Sequence, residues 1–213
     1  MNNCYLDAEA VITFFRMTGR KHIFITGSRG SGKSHLVNNM LKHMSDSFNL
    51  LQSHRTDTPQ VVIKSNLVAD NKEFVIGVPR TSGINPASKG NNMTIIEDGF
   101  INCAIPAIDT HLDTTPERLF VIDELGYLES SCIPFQKAVE KLLDNSHVLA
   151  VIRKQSTEFL NRICNRKDVL VIDIDSTFET LSCIIMASGM SKRFGSNKLI
   201  TDFNGRSLFE NAV

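Results

Sequence analysis

A chain of 213 residues with 42% apolar and 22% charged side chains has ordinary globular composition. That length suits one well-buried α/β domain with a small addition. Basic and acidic residues balance at 23 each, which argues against bulk attraction to nucleic acid or to an anionic membrane surface. Five cysteines (Cys4, Cys103, Cys132, Cys164 and Cys183) are scattered without a CxxC pair, as expected of reduced thiols rather than a disulfide frame or zinc site. There is neither a leader pattern nor an apolar run of about 18 residues, so the expected setting is the cytoplasm, with no membrane or nucleic-acid partner.

Residues 7–17 place Ala10, Val11, Phe14 and Phe15 on one side of a leading helix. The apolar run Ile23-Phe24-Ile25 sits in a strand predicted over 22–26, and a helix over 33–45 carries apolar residues at 36, 37, 40, 41 and 44. Between them residues 27–34 read Gly-Ser-Arg-Gly-Ser-Gly-Lys-Ser, a complete GxxxxGK[ST] motif. Strand, glycine-rich turn and helix is the context in which this motif holds phosphate. Amides from Gly27, Ser28, Arg29, Gly30, Ser31 and Gly32 would converge on an anion at the positive end of the helix dipole. Lys33 would reach the β- and γ-phosphates and the Ser34 hydroxyl would ligate Mg²⁺. The expected ligand is a nucleoside triphosphate, ATP or GTP, with Mg²⁺.

Residues 72–79 and 92–98 are β-like runs separated by a Ser-, Gly-, Asn- and Pro-rich segment, the pattern of a hairpin. Leu119-Phe120-Val121-Ile122 is a continuous apolar run, as a strand covered on both faces requires. A helix over 133–145 carries Phe135, Ala138, Val139, Leu142 and Leu143 at helical spacing. Strand 147–152, a helix near 157–166 with Ser156 or Thr157 as N-cap, and strand 169–174 follow. This alternation predicts an α/β fold with a mostly parallel sheet and helices on both faces.

Two carboxylates close the strand at 119–122. Asp123 suits the Mg²⁺-linked position of a phosphate-loop sheet, acting through a metal-bound water. Glu124, beside it, suits the acceptor of a proton from water attacking the γ-phosphorus. Phosphoryl transfer also needs charge neutralisation beyond Lys33 and Mg²⁺. Candidate cations are Arg29, Arg153, Arg162 and Arg166, with Arg153 best placed at a strand's carboxyl end. Hydrolysis is the leading reading. A kinase with an Arg-rich lid and a nucleotide-dependent switch are the competing ones.

The phosphate loop, Val-Ile-Asp-Glu-Leu-Gly-Tyr-Leu-Glu at 121–129, the helix with Phe135, and Val148 to Arg153 together resemble the thermophilic-type nucleoside-triphosphatases of bacteria and archaea. Thr94–Ile108, read as an extended run ending in Ala-Ile-Pro-Ala-Ile, is similar to that family's approach to its Mg²⁺ strand. The likeness spans about 22–175. It implies a small P-loop domain that hydrolyses triphosphates with little base selectivity. Gly27, Gly32, Lys33 and Ser34 would hold phosphate and metal, and Asp123 and Glu124 would serve hydrolysis. The chain departs from the family at 55–90, and at Asp175-Ser-Thr-Phe-Glu-Thr, where relatives close with Asn-Arg-Asp.

A second motif follows. Ile184-Ile-Met-Ala-Ser-Gly-Met-Ser-Lys-Arg-Phe-Gly-Ser-Asn-Lys198 is an apolar strand, a small-residue turn and a basic loop. It resembles the opening of the MobA-like nucleotidyltransferases, which join a nucleotide to molybdopterin. The resemblance implies a nucleotide contact at Ala187 and Gly189 and phosphate neutralisation by Arg193 and Lys198, with molybdenum-cofactor assembly proteins as possible partners. One strand and one helix bury too little surface to make that sheet, so an incomplete Rossmann-like start is expected. The domains expected are 1–177 and 183–213. The plainer alternative makes the second segment the last strand and helix of the first domain.

Overall fold

A computed structural model describes residues 6–44, 47–80 and 93–175, with the backbone of 202–203 and 206–207. The chain divides into two units, Met1–Thr177 and Phe178–Val213. In the second unit two short strands, Asp202–Phe203 and Arg206–Ser207, pair antiparallel.

The first unit is built on an eight-stranded sheet. Its strands are β1 (His22–Gly27), β2 (Phe48–Arg55), β3 (Val61–Ser65), β4 (Phe74–Pro79), β5 (Met93–Ile95), β6 (Leu119–Leu125), β7 (His147–Arg153) and β8 (Val169–Asp173), in the order β5-β4-β3-β2-β6-β7-β1-β8. The five from β2 to β8 run parallel. β3, β4 and β5 extend the β2 edge antiparallel.

Side-chain alternation sorts the apolar strands into two cores. Ile23, Ile25, Val121, Leu149, Val151, Leu170 and Ile172 pack under helices α1 (Ala8–Thr18) and α2 (Lys33–Met44). Phe24, Phe120, Ile122, Val148, Ala150 and Ile152 face the other side. There they meet a helical stretch, α5 (Ile133–Asn145) and α6 (Glu158–Cys164). Asp7 caps α1 by accepting from the Ala10 amide at 2.9 Å. Thr157 caps α6 by accepting from the Leu160 amide at 3.1 Å, which decides between the two predicted caps.

On α1 the buried residues are Ala8, Val11 and Ile12, with Ala10 and Phe14 exposed, and two further segments differ from the sequence reading. Thr94–Ile108 is not extended, because only Met93–Ile95 remains strand. The chain then coils through α3 (Glu97–Gly99), a π-helical turn over Phe100–Ala104, and α4 (Ile105–Thr114). Phe100, Cys103, Ala104, Ala107, Ile108 and His111 are fully buried at helical spacing, so the run serves one helix face, with Ile101 left exposed. The other segment supplies β2 and β3, to which the sequence reading assigns no strand. Buried Asn49 and Leu51 alternate with partly exposed Leu50 and Gln52, leaving β2 with a polar end.

At the amino-terminal ends of the parallel strands a buried polar network joins three elements. His111 lies 2.8 Å from Asn49 Nδ2 and 2.6 Å from Ser146 Oγ, and Asn49 Nδ2 donates to Thr115 Oγ1 at 2.8 Å. Satisfied groups of this kind fix packing at the end of the sheet opposite the phosphate loop.

Candidate active site

The carboxyl ends of β1, β7 and β6 lie side by side, and each delivers one part of the site. β1 runs into the phosphate loop. Gly32 adopts φ 94°, a left-handed conformation that lets the chain turn into α2. A Cβ at Gly27 would come within 2.7 Å of Ile174 Cγ1 and 2.8 Å of Ser31 Oγ, so only glycine fits against the end of β8. Lys33 is only 9% exposed and donates to the carbonyls of Gly27 at 2.9 Å and Ser28 at 2.8 Å, holding its ammonium inside the loop. Ser31 Oγ is buried without a hydrogen-bond partner among the described residues, the condition of a donor built to meet an anion. Ser34 stands exposed at the start of α2.

β6 delivers the carboxylates. Asp123 is half-buried, and Gln52 Nε2 donates to its Oδ2 at 3.4 Å. Burial foremost, then the neighbouring Glu124 charge, pushes the Asp123 carboxyl above its usual range, against the pull of Gln52 and Lys33. The β6–β7 register slips one residue between Asp123 and Leu125, which takes Glu124 out of the ladder. Its Oε1 meets Arg153 Nε at 2.5 Å. Glu124 and Arg153 then line one cleft of about 660 Å³ with loop residues 27–35, Arg55, Lys154 and Gln155.

The structure thus brings Lys33, Ser34, Glu124, Arg153 and Arg29 together at one cleft, while Asp123, the residue before Glu124 on β6, is not among the lining residues. Arg162 and Arg166 are not there. Arg162 pairs with Glu140 at 2.6 Å, and Arg166 with Asp144 and Asp168 at 2.8 Å each, so neither supplies the lid cations that a kinase reading required. Ala187, Gly189, Arg193 and Lys198 lie outside the described residues.

Several contributors were not foreseen. Gln52, Ser53 and Arg55 belong to the unannounced β2. Lys154 and Gln155 directly follow Arg153, and their position past a parallel strand's carboxyl end was the available signal. Glu129 is the buried support. Its Oε2 accepts from the Gly126 amide at 2.9 Å and its Oε1 from Ser53 Oγ at 3.1 Å, and burial raises its pKa. Ser53 Oγ also lies 3.3 Å from the Glu124 carbonyl, so Glu129 organises the turn that carries Glu124.

The donors offered to a cation are the Ser34 hydroxyl and the Asp123 carboxylate, both hard oxygens. Among the described residues no group of three or more His, Cys, Asp or Glu forms a self-sufficient metal site. That set fits Mg²⁺, which keeps several waters and shares its coordination with phosphates.

The fold and cleft define a P-loop protein of nucleotide-dependent type. The family model described as NTPase matches residues 22–179, and the chain belongs to that family, a P-loop nucleoside-triphosphatase. It is similar to nucleoside-triphosphatase THEP1 of Thermotoga sp. (strain RQ2), 26% identical over 72% of this chain and 86% of the relative. The Thermotoga maritima protein of the same name is 23% identical over the same shares. Among solved structures, THEP1 of Aquifex aeolicus superposes with a TM-score of 0.57 at 17% identity, over 74% of this chain and 92% of that one. A human cancer-related nucleoside triphosphatase superposes at 0.54 and 20%, over 72% and 88%. These two likenesses concern the fold. No helix among the described residues is long and apolar enough to cross a membrane.

Proposed function

We propose that this protein hydrolyses nucleoside triphosphates such as ATP or GTP to the diphosphate and phosphate. The observation that carries the reading is one cleft holding the Lys33 loop, Glu124 and Arg153 on neighbouring strands. Loop amides and Lys33 bind and orient the β- and γ-phosphates. Mg²⁺, held by Ser34 and Asp123 when bound, supplies charge neutralisation at the phosphate oxygens. Glu124 accepts the proton of the water whose oxygen bonds to the γ-phosphorus, as the bond to the bridging oxygen breaks. Its ion pair with Arg153 engages one carboxylate oxygen, and Arg153 lies ready to offset charge on the transferring group. The relatives' names point to the same activity.

Residues 183–213 we read, on sequence alone, as the opening of a MobA-like nucleotidyltransferase. That assigns domains 1–177 and 183–213 and a cytoplasmic setting near molybdenum-cofactor assembly.

The test is phosphate release from ATP and GTP with MgCl₂ by the wild type and Lys33→Ala. Release by the wild type and its loss, with loss of nucleotide binding, in the variant is expected. Equal release or binding by both overturns the assignment.

A further inference from the structure

Asp175 lies just past the end of β8 and meets the first turn of the phosphate loop twice. The Ser28 amide donates to its Oδ2 at 2.7 Å and the Ser28 hydroxyl to its Oδ1 at 3.0 Å. The Ile174 amide donates to Thr26 O at 2.9 Å, and Ile174 leaves no room for a side chain at Gly27. Residues 174–175 are therefore clamped along the start of the loop. Lys154, on the turn after β7 and in the lining of the phosphate cleft, donates to Asp175 Oδ2 at 3.0 Å and to Asp173 Oδ2 at 2.8 Å.

Two consequences follow from elementary electrostatics. Contrary to its expected place among the phosphate-facing amides, the Ser28 amide is committed to a protein carboxylate, so it sets the direction of the loop while the later amides remain for phosphate. Lys154 sets an ammonium against the Asp173 and Asp175 carboxylates beside a loop that must accept a polyanion, and so offsets their repulsion of it. The three side chains are between 27% and 49% exposed, so the effect is open to screening by salt.

We propose that Asp175 and Lys154 are positioning residues for the triphosphate, Asp175 by anchoring Ser28 and Lys154 by neutralising Asp173 and Asp175. The inference rests on the triphosphate reading of the cleft. It predicts a sign pattern that simple loss of packing would not give. Lys154→Met removes the ammonium facing Asp173 and Asp175 and weakens binding, whereas adding Asp175→Asn removes one charge and keeps an acceptor oxygen for Ser28.

The test measures binding of a fluorescent non-hydrolysable ATP analogue with MgCl₂ at about 50 and about 500 mM NaCl, where screening differs several-fold. Lys154→Met should weaken binding about tenfold at low salt and less at high salt. The double variant Lys154→Met/Asp175→Asn should recover most of the loss. Asp175→Asn alone should bind at least as tightly as wild type, and Asp175→Ala should bind more weakly with little change in salt dependence. Wild-type affinity in Lys154→Met, or a double variant no tighter than the single one, overturns the proposal. If Lys154→Met does not fold, equal affinities of Asp175→Asn and Asp175→Ala overturn it instead. Lys33→Ala is the reference: binding retained there strikes the site reading itself, not this inference.

Discussion

Glu124 and Arg153 are neighbours across two parallel strands, with Oε1 and Nε 2.5 Å apart at the mouth of the phosphate cleft. Twenty-nine positions separate them in the chain, and the slip in the β6–β7 ladder turns one toward the other. The pair orients both groups before any substrate arrives. It also couples their functions, because removing either releases the other.

Arg153→Met should therefore lower kcat about 10²–10³-fold, the scale of losing one preorganised donor, while leaving nucleotide affinity within a few-fold. Combining it with Glu124→Gln should cost less than the product of the two single losses. Steady-state phosphate release from the three variants checks this, and strict multiplicativity would dissociate the two side chains.

Glu129→Ala should destabilise the protein and slow turnover together. It leaves the buried Gly126 amide without its acceptor, at about 1–3 kcal/mol, and takes one of two acceptors from the partly buried Ser53 hydroxyl. Loss of that order lowers Tm by several degrees in a domain of this size. Thermal melting and phosphate release on one preparation check it. A melting curve unchanged from wild type would remove Glu129 as the support of the turn.

Stability should fall as pH drops from about 6.5 to about 4, because of His22. The ring is fully buried at the start of β1, and its Nδ1 accepts from the Val148 amide at 3.2 Å. Burial foremost lowers its pKa to about 4, against the pull of Asp168 and with the push of Lys21, Arg166 and His147. Below pH 6.5 the unfolded chain takes up a proton that the folded chain refuses, so stability present above 6.5 is lost toward 4, by up to about 3 kcal/mol. His111, whose pKa burial also lowers, adds in the same direction. Asp123 and Glu129, raised by burial, act against it, so the His22 share is read as the difference between wild type and His22→Asn. Asp168 is held near 2 by Arg166 and titrates below this window. Urea denaturation at pH 7.5 and pH 5 checks it, with His22→Asn expected to flatten the difference. A pH difference as large in the variant would acquit His22.

Deleting residues 181–213 should leave Mg²⁺-dependent hydrolysis intact, since every residue assigned to the cleft precedes Asp175. Phosphate release and melting of the shortened chain check it. Loss of activity would show that this segment completes the first unit.

The parts of the fold most legible in the sequence are those with one dominant physical demand. β1, β6 and β7 are buried on both faces and appear as unbroken apolar runs. The phosphate loop is a local motif, readable without partners. β2 was opaque because Gln52 and Ser53 serve the site, not the core, and so disrupt the apolar pattern. The helical run through Phe100 and Ile108 was opaque for the opposite reason, since its isoleucines carry strand propensity that burial of Phe100, Cys103, Ala104 and Ile108 in the core overrides. At the cleft, the position of Lys33 was legible from the loop motif and those of Asp123 and Glu124 from the strand end. The pairing of Glu124 with Arg153 and the clamp of Asp175 on Ser28 depend on strand order, which no short window of sequence contains.

The most direct test of the central claim is Glu124→Gln, with phosphate release and binding of Mg²⁺-ATP measured on the same protein. Losing a general base slows turnover by about 10²–10⁴-fold, while a neutral isostere leaves the phosphate loop and Lys33 untouched. The expected result is near wild-type affinity with hydrolysis reduced on that scale. Hydrolysis at the wild-type rate would contradict the account and remove Glu124 from the chemistry of this cleft.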